Sequence, residues 1–519
     1  MRRQVPSGNR RLRGRVAAVV DSPLARRLAL AFVLGPAAAP IEAPPDIGLF
    51  AQAAGPDEGQ AQDALRRIEA AWKDGYAALI LDLARFMRAP SRSRSPAAFD
   101  APAGPSPADS GGEAPGPLGD PFGSLPARPE DPSTRIRERL IRFLEKQTGE
   151  RFGHDLQRWR QWLWSRPYDP HPDYAAFKAA LYGRIDPRMA SFFAPGASAL
   201  IRLDEIDWGG VRVNGIPPLA YPATVAAAEA RYLGDKHVVF GISVNGESRA
   251  YPKRILAWHE MALDRLGGVE LTVVYCTLCG TVVPYRSEVD GTRRTFGTSG
   301  LLYRSNKLMF DEESMSLWSS VEGRPVVGPL AGSGAELSAH PVVTTTWRDW
   351  RSAHPDTTVL SLDTGFDRDY SEGAAYRDYF ATDRLMFTVP RTDGRLKNKD
   401  EVLALLVPPP EGGERRPLAI DSGLLRRERL YHLRFAGREL LVVTSEDGAN
   451  RVYASGPSRF VRFLADGRVQ DADGRRFTVA EDSMRSEDGS TVLARLPARR
   501  AFWFGWFAQF PETELLRQP

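Results

Sequence analysis

Cys276 and Cys279 are the only cysteines in the chain, and they form a single Cys-Thr-Leu-Cys. The run Val269-Glu-Leu-Thr-Val-Val-Tyr275 leads into them and reads as a strand, which puts both sulfurs on one turn. Two thiols so placed close a disulfide or clamp an ion. Upstream, His259 lies in an apolar-striped segment, Pro252 to Leu266, that reads as one helix. Gly267-Gly268 turns that segment back into the cysteine strand, so the imidazole and the two sulfurs can converge.

Four uses of the pair stay open on residue types alone. Two thiolates and the His259 imidazole suit copper or zinc, with Met309, Met315, His340 or water completing the set. A dithiol/disulfide couple is the second use. On the C-terminal side of the pair, Gly280-Thr-Val-Val-Pro-Tyr285 reads as turn and strand, so no helix N-terminus is expected to stabilise a thiolate. The third use is a nucleophilic cysteine with His259 as its base. The fourth is a structural staple. A c-type haem is excluded because Gly280, not histidine, comes directly after Cys279. Gly297-Thr-Ser-Gly300 reads as a tight turn rather than a phosphate cradle, so no nucleotide is expected. Asp311-Glu312-Glu313 is expected at a solvated hairpin tip, Arg304 and Lys307 on the surface, and Trp318 in the core.

These groups must be held by a long chain. With 519 residues, two to four domains are expected. Hydrophobic residues at 42% allow a sizeable core. Net charge is 69 − 65 = +4, without the concentrated basic surface that a nucleic-acid binder needs, so no nucleic-acid partner is expected. Residues 1–45 read as a signal-like leader: a basic stretch, then the apolar run Leu28 to Ala39, too short to span a bilayer as a helix. This points to a periplasmic or extracellular protein with no transmembrane span after the leader; a cytoplasmic location is the alternative.

Residues 46–88 read as helical, 89–134 as a disordered Pro/Gly/Ser/Ala linker, and 135–200 as a helical region. The stretch Thr148 to Trp162 resembles the closing turn of HEAT-like helical repeats, which implies a surface for protein partners. From Ile201 onward, short β-branched and aromatic runs alternate with Asn-Gly, Asp-Gly and Gly-Gly turns. The expected class is therefore α+β, a β-rich body behind a small all-α, HEAT-like region.

The body reads as two related units in tandem. Trp347-Arg-Asp-Trp350 with Pro355-Asp-Thr357 recurs as Trp503-Phe-Gly-Trp506 with Pro511-Glu-Thr513. The segment from Glu270 aligns with the segment from Glu439. The expected boundaries are 201–365 for the unit carrying the site, 366–416 for a connection, and 417–519 for a degenerate copy. Ser445 and Glu446 occupy the cysteine region of that copy, so the fold alone does not demand His259, Cys276 or Cys279.

Several motifs occur in order: Trp258-His-Glu260, Tyr275-Cys-Thr-Leu-Cys-Gly280, Phe296-Gly-Thr-Ser-Gly-Leu-Leu-Tyr303, Ser316-Leu-Trp-Ser319 and His354-Pro-Asp356. Together they resemble the bacterial domain-of-unknown-function family 3179 over residues 208–510. The resemblance implies retention of the Cys-x-x-Cys and the His-Glu, and no particular activity.

Overall fold

The computed structural model describes residues 44–87 and 132–518. Nearly all of the expected leader and of the expected linker lies outside the described residues. The chain divides into two compact units, residues 1–72 and 73–519.

In the first unit, Asp46 and Asp57 start two helices, Ile47–Ala53 and Glu58–Ala70. Their carboxylates accept from the Gly48 and Gln60 amides at 2.6 and 2.8 Å. Leu49, Phe50, Leu65 and Ile68 are buried.

The second unit opens with helices Ala77–Arg85, Pro132–Thr148, Leu156–Trp164, Tyr174–Tyr182 and Pro187–Phe192. The stretch 46–88, expected as helical, is interrupted at Trp72, where the two units divide. The helices are tied to the β body by buried charges. Arg160 and Arg85 meet Asp207 at 2.5 and 2.8 Å, and Lys178, paired with Asp82 of a neighbouring helix at 3.0 Å, donates to the Ile206 carbonyl at 2.7 Å. Asp207 lies on strand Ile206–Trp208, which pairs with Phe296–Tyr303.

The body is α+β and dominated by several sheets. In one sheet, Val343–Thr346, Val238–Val244, Glu247–Pro252 and Thr358–Leu360 lie side by side, paired antiparallel, antiparallel and parallel, with Thr224–Ala226 at the far edge. In another, Ala498–Phe502, Glu401–Val407, Arg416–Asp421 and Glu514–Leu516 repeat that pairing order. Each second antiparallel strand runs into a short helix, Lys253–His259 or Ser422–Arg427, and then into an antiparallel hairpin.

The recurring tryptophans have one structural job. Trp350 Nε1 donates to Thr357 Oγ1 and Trp506 Nε1 donates to Thr513 Oγ1, both at 2.9 Å and both buried. The seven-residue spacing therefore closes each helix onto the start of the next strand. Trp350→Phe takes the indole donor from the Thr357 hydroxyl, which keeps its own donation to the Ser248 carbonyl at 3.1 Å, and should lower stability by about 1 kcal/mol in urea unfolding. No measurable loss would mean that the bond is only incidental.

The segment expected as one helix from Pro252 to Leu266 is split. Only Lys253–His259 is helical; Glu260 turns left-handed at φ 55°, and Met261–Leu266 is a strand paired with Val269–Cys276. The Gly267-Gly268 turn decides this. Both glycines have positive φ, the requirement of a two-residue hairpin, and a side chain at 267 would lie 2.1 Å from the Val244 carbonyl. Gly297 to Gly300, expected as a turn, lies inside strand Phe296–Tyr303, whose register shifts between Thr298 and Leu301.

Candidate functional site

Strand Val269–Cys276 ends at the first cysteine, and strand Thr281–Arg286 begins two residues after the second. The intervening turn closes through the Cys279 amide on the Cys276 carbonyl at 3.2 Å. Gly280 completes it at φ 63°, where a Cβ would press on the Phe502 ring at 3.1 Å. The two sulfurs are bonded, with Cα atoms 5.4 Å apart. Cys276 is 3% exposed and Cys279 fully buried. Leu302, Tyr379, Phe502, Phe504 and Ala508 form an apolar cage around them. The Cys279 sulfur lies 3.2 Å from the Ser305 carbonyl, a ready acceptor for its thiol when the pair is reduced.

His259, the last residue of its helix, points elsewhere. Its Nδ1 is 2.9 Å from the Pro217 carbonyl, which only accepts, so this nitrogen carries the proton. Nε2 therefore accepts from the Tyr370 hydroxyl at 2.6 Å, and Tyr370 is bonded in turn to Thr364 at 2.6 Å. Burial pushes the imidazole down to about 4 against the help of the Pro217 carbonyl, so it is neutral.

The left-handed turn at Glu260 sends the next side chain the other way. Its carboxylate meets Lys307 Nζ at 2.6 Å and accepts from the Tyr376 hydroxyl at 3.2 Å. Lys307 is buried, not on the surface as expected, because Asn306–Asp311 is an interior strand. Burial lowers its pKa while Glu260 opposes the shift; burial raises Tyr376 well above the ordinary tyrosine range, and Glu260 adds to it. These three side chains border a cavity of about 40 Å³ whose wall also includes Leu278, Leu302 and Met386. Leu278 belongs to the cysteine turn itself. Four non-glycine residues around the site, Glu260, Arg304, Ser305 and Tyr376, hold positive φ, a costly backbone state that accumulates at functional sites.

The expected ligands are thus dispersed. Cys276 and Cys279 come together, but both His259 nitrogens are committed to Pro217 and Tyr370. Met309 packs with Met261, Tyr285, Phe296 and Trp318; Met315 packs beside Trp208 and Phe310; His340 Nε2 is 2.8 Å from the Ser243 carbonyl. Among the described residues, no group of three or more His, Cys, Asp or Glu side chains is disposed to hold a metal ion. Asp311 is fully buried rather than solvated, accepting from Arg294 and from Trp318 Nε1. Trp318 is in the core as expected.

Glu260, Lys307, Tyr370 and Tyr376 were not singled out from the sequence as site residues. One signal was present for Lys307: a lone cation in the otherwise apolar run Lys307-Leu-Met-Phe310. Tyr370 lies 111 residues from His259 and Tyr376 lies 116 from Glu260, separations that nothing local marks.

Among the described residues, no helix is long and apolar enough to cross a membrane. No curated protein and no solved structure matches the chain. The family model described as a protein of unknown function (DUF3179) matches residues 213–513. That span contains the Cys276–Cys279 turn, His259, Glu260, Lys307 and both tyrosines and covers more than half of the sequence, so the chain belongs to the DUF3179 family.

Proposed function

We propose that the family domain works as a dithiol/disulfide couple at Cys276 and Cys279. The observation that carries this reading is the bonded pair on a turn whose counterpart needs no cysteine. Hairpin Leu430–Phe435 with Arg438–Thr444 leads into the turn Ser445 to Ala449, closed by the Ala449 amide on Ser445 Oγ at 3.0 Å. In this reading, residues 401–516 are a diverged second copy of the unit at 238–360, and the sulfurs are an addition to a fold that stands without them.

The chemistry is a two-electron exchange. A partner thiolate attacks Cys276, the less completely buried of the two residues; the Cys276–Cys279 bond breaks and Cys279 leaves. A second partner thiol then displaces Cys276, so the partner ends as a disulfide and the protein as a dithiol. Because the cage is apolar and closed, the partner is a small thiol, or one admitted when the segment carrying Tyr376 and Met386 moves. The export expected from the leader would keep the pair oxidised at rest. The helical region is the natural place for protein partners.

The test is a redox-buffer titration of the full chain, trapping thiols by alkylation and counting them by mass. One couple releasing two thiols together is expected, lost in Cys276→Ser. A pair that stays oxidised until the protein unfolds would sink the proposal. Copper or zinc bound stoichiometrically to the reduced chain, and lost in the same variant, would assign the sulfurs to a metal instead.

A further inference from the structure

Reduction of a buried disulfide has a physical difficulty. It creates a leaving thiolate in an apolar cage, where a bare charge is expensive. A proton must reach the sulfur, and among the described residues the hydrogen-bond partner of the Cys279 sulfur is the Ser305 carbonyl at 3.2 Å, which has no proton to give.

The Glu260–Lys307 pair lies next to this problem. The Glu260 carbonyl accepts from the Tyr275 amide at 2.9 Å, one residue before Cys276. Lys307 comes two residues after Ser305 on the same hairpin. Leu278, between the two cysteines, lines the cavity onto which Glu260, Lys307 and Tyr376 open. The pair is thus linked to the disulfide from the strand side, the hairpin side and the turn. A volume of about 40 Å³ with polar groups at its edge is enough for a water. The ammonium has three N–H groups and one side-chain acceptor, Glu260.

We infer that the Glu260–Lys307 pair is the proton relay of the Cys276–Cys279 couple, acting through water in this cavity. The inference rests on the redox function proposed for the same pair. With dithiothreitol as reductant, its thiolate attacks Cys276 and Cys279 leaves as a thiolate. The Lys307 ammonium passes a proton through the water to Cys279 and is left neutral beside Glu260. The second dithiothreitol thiol displaces Cys276 and gives up its proton. Of the reductant's two protons, one restores Lys307 and the other ends on Cys276; the reductant leaves as its cyclic disulfide. In oxidation the pair takes the protons back. Burial, which already weakens the hold of Lys307 on its proton, eases the transfer. The other ionisable groups acting on this pair are Tyr376 and Tyr275, with Tyr379 and Glu401 beyond them. Apart from Glu401, they are tyrosines held neutral by burial.

The experiment is stopped-flow reduction of the oxidised full chain by dithiothreitol from pH 5 to 9. Rates are corrected for the reductant's own thiolate fraction and compared for the wild type, Lys307→Met and Glu260→Gln. The expected result is a corrected rate at pH 7 about 10²-fold lower in Lys307→Met, the low end for general acid catalysis. The inflection seen in the wild type should disappear. Glu260→Gln should move that inflection to lower pH, because the ammonium loses its counter-charge. If Lys307→Met does not fold, Tyr376→Phe removes only the hydroxyl that donates to Glu260, leaves more of the carboxylate's charge on Lys307, and should move the inflection by less and in the opposite direction, to higher pH. A wild type that cycles normally, with unchanged profiles in the folded variants, overturns the relay and leaves the redox couple standing. A wild type that cannot be reduced while folded overturns both.

Discussion

Asp207→Ala is expected to lower the unfolding free energy by about 3–5 kcal/mol, because it breaks the buried charge network between the helices and the β body. The carboxylate is buried with Arg160 at 2.5 Å and Arg85 at 2.8 Å. Burial alone would raise its pKa, but the two guanidiniums outweigh burial and hold it below the usual carboxylate range. Removing it leaves Arg160, itself buried, with Asp82 at 3.7 Å as its remaining ion-pair partner. Asp82 is already shared with Lys178 and the Tyr174 hydroxyl. Urea unfolding followed by circular dichroism measures the loss. Asp207→Asn keeps one acceptor oxygen but no charge and should fall between wild type and alanine. An alanine variant within about 1 kcal/mol of wild type would mean that water replaces the carboxylate at no cost.

That network also shows what the sequence could reveal. That residues 135–200 are helical, as Leu156–Trp164 and Tyr174–Tyr182 are, was legible in the sequence. Their attachment to the β body was not, because Arg160 and Lys178 look like ordinary solvent-face residues of amphipathic helices. A buried cation is recognisable only once its partner is known, and Asp207 is 47 residues from Arg160 and 122 from Arg85. The same limit applies to the site. Cys276, Cys279 and the strand that carries them were legible because the signal is contiguous. His259 and Glu260 were legible as a motif, but their division of labour was not. It depends on one left-handed residue at the end of a seven-residue helix, where the apolar pattern through Ala262, Leu263 and Leu266 serves a helix and a half-buried strand equally well. The Gly-Gly turn holds the information that settles the choice, because two adjacent glycines serve a plain connection and the bend of a hairpin alike.

The division at Glu260 separates two kinds of polar chemistry. On one side His259 is a neutral, doubly bonded imidazole that fixes Pro217 and Tyr370. On the other Glu260 forms a charged pair beside the cysteine turn. In the proposed relay Lys307→Met tests chemistry, whereas substitution of His259 tests stability.

Acidification should expose that stabilising role. The His259 pKa is about 4 in the folded protein and near 6.5 in the unfolded chain. Between those values the unfolded chain binds a proton that the folded chain refuses, so stability rises with pH across this window. The contribution is fully present above about pH 6.5 and is lost as pH falls toward 4. The span of some 2.5 units corresponds to about 3 kcal/mol. Burial also lowers His154 and His340, so the wild type alone reports a sum over the same window. His259→Gln isolates the term. It should be less stable at pH 7, where Pro217 and Tyr370 lose well-placed partners, yet lose less on acidification, so that the two unfolding curves converge toward pH 4. Parallel curves from pH 7 to 4 would mean that His259 titrates alike in both states, contrary to a buried imidazole held between a carbonyl and a tyrosine hydroxyl.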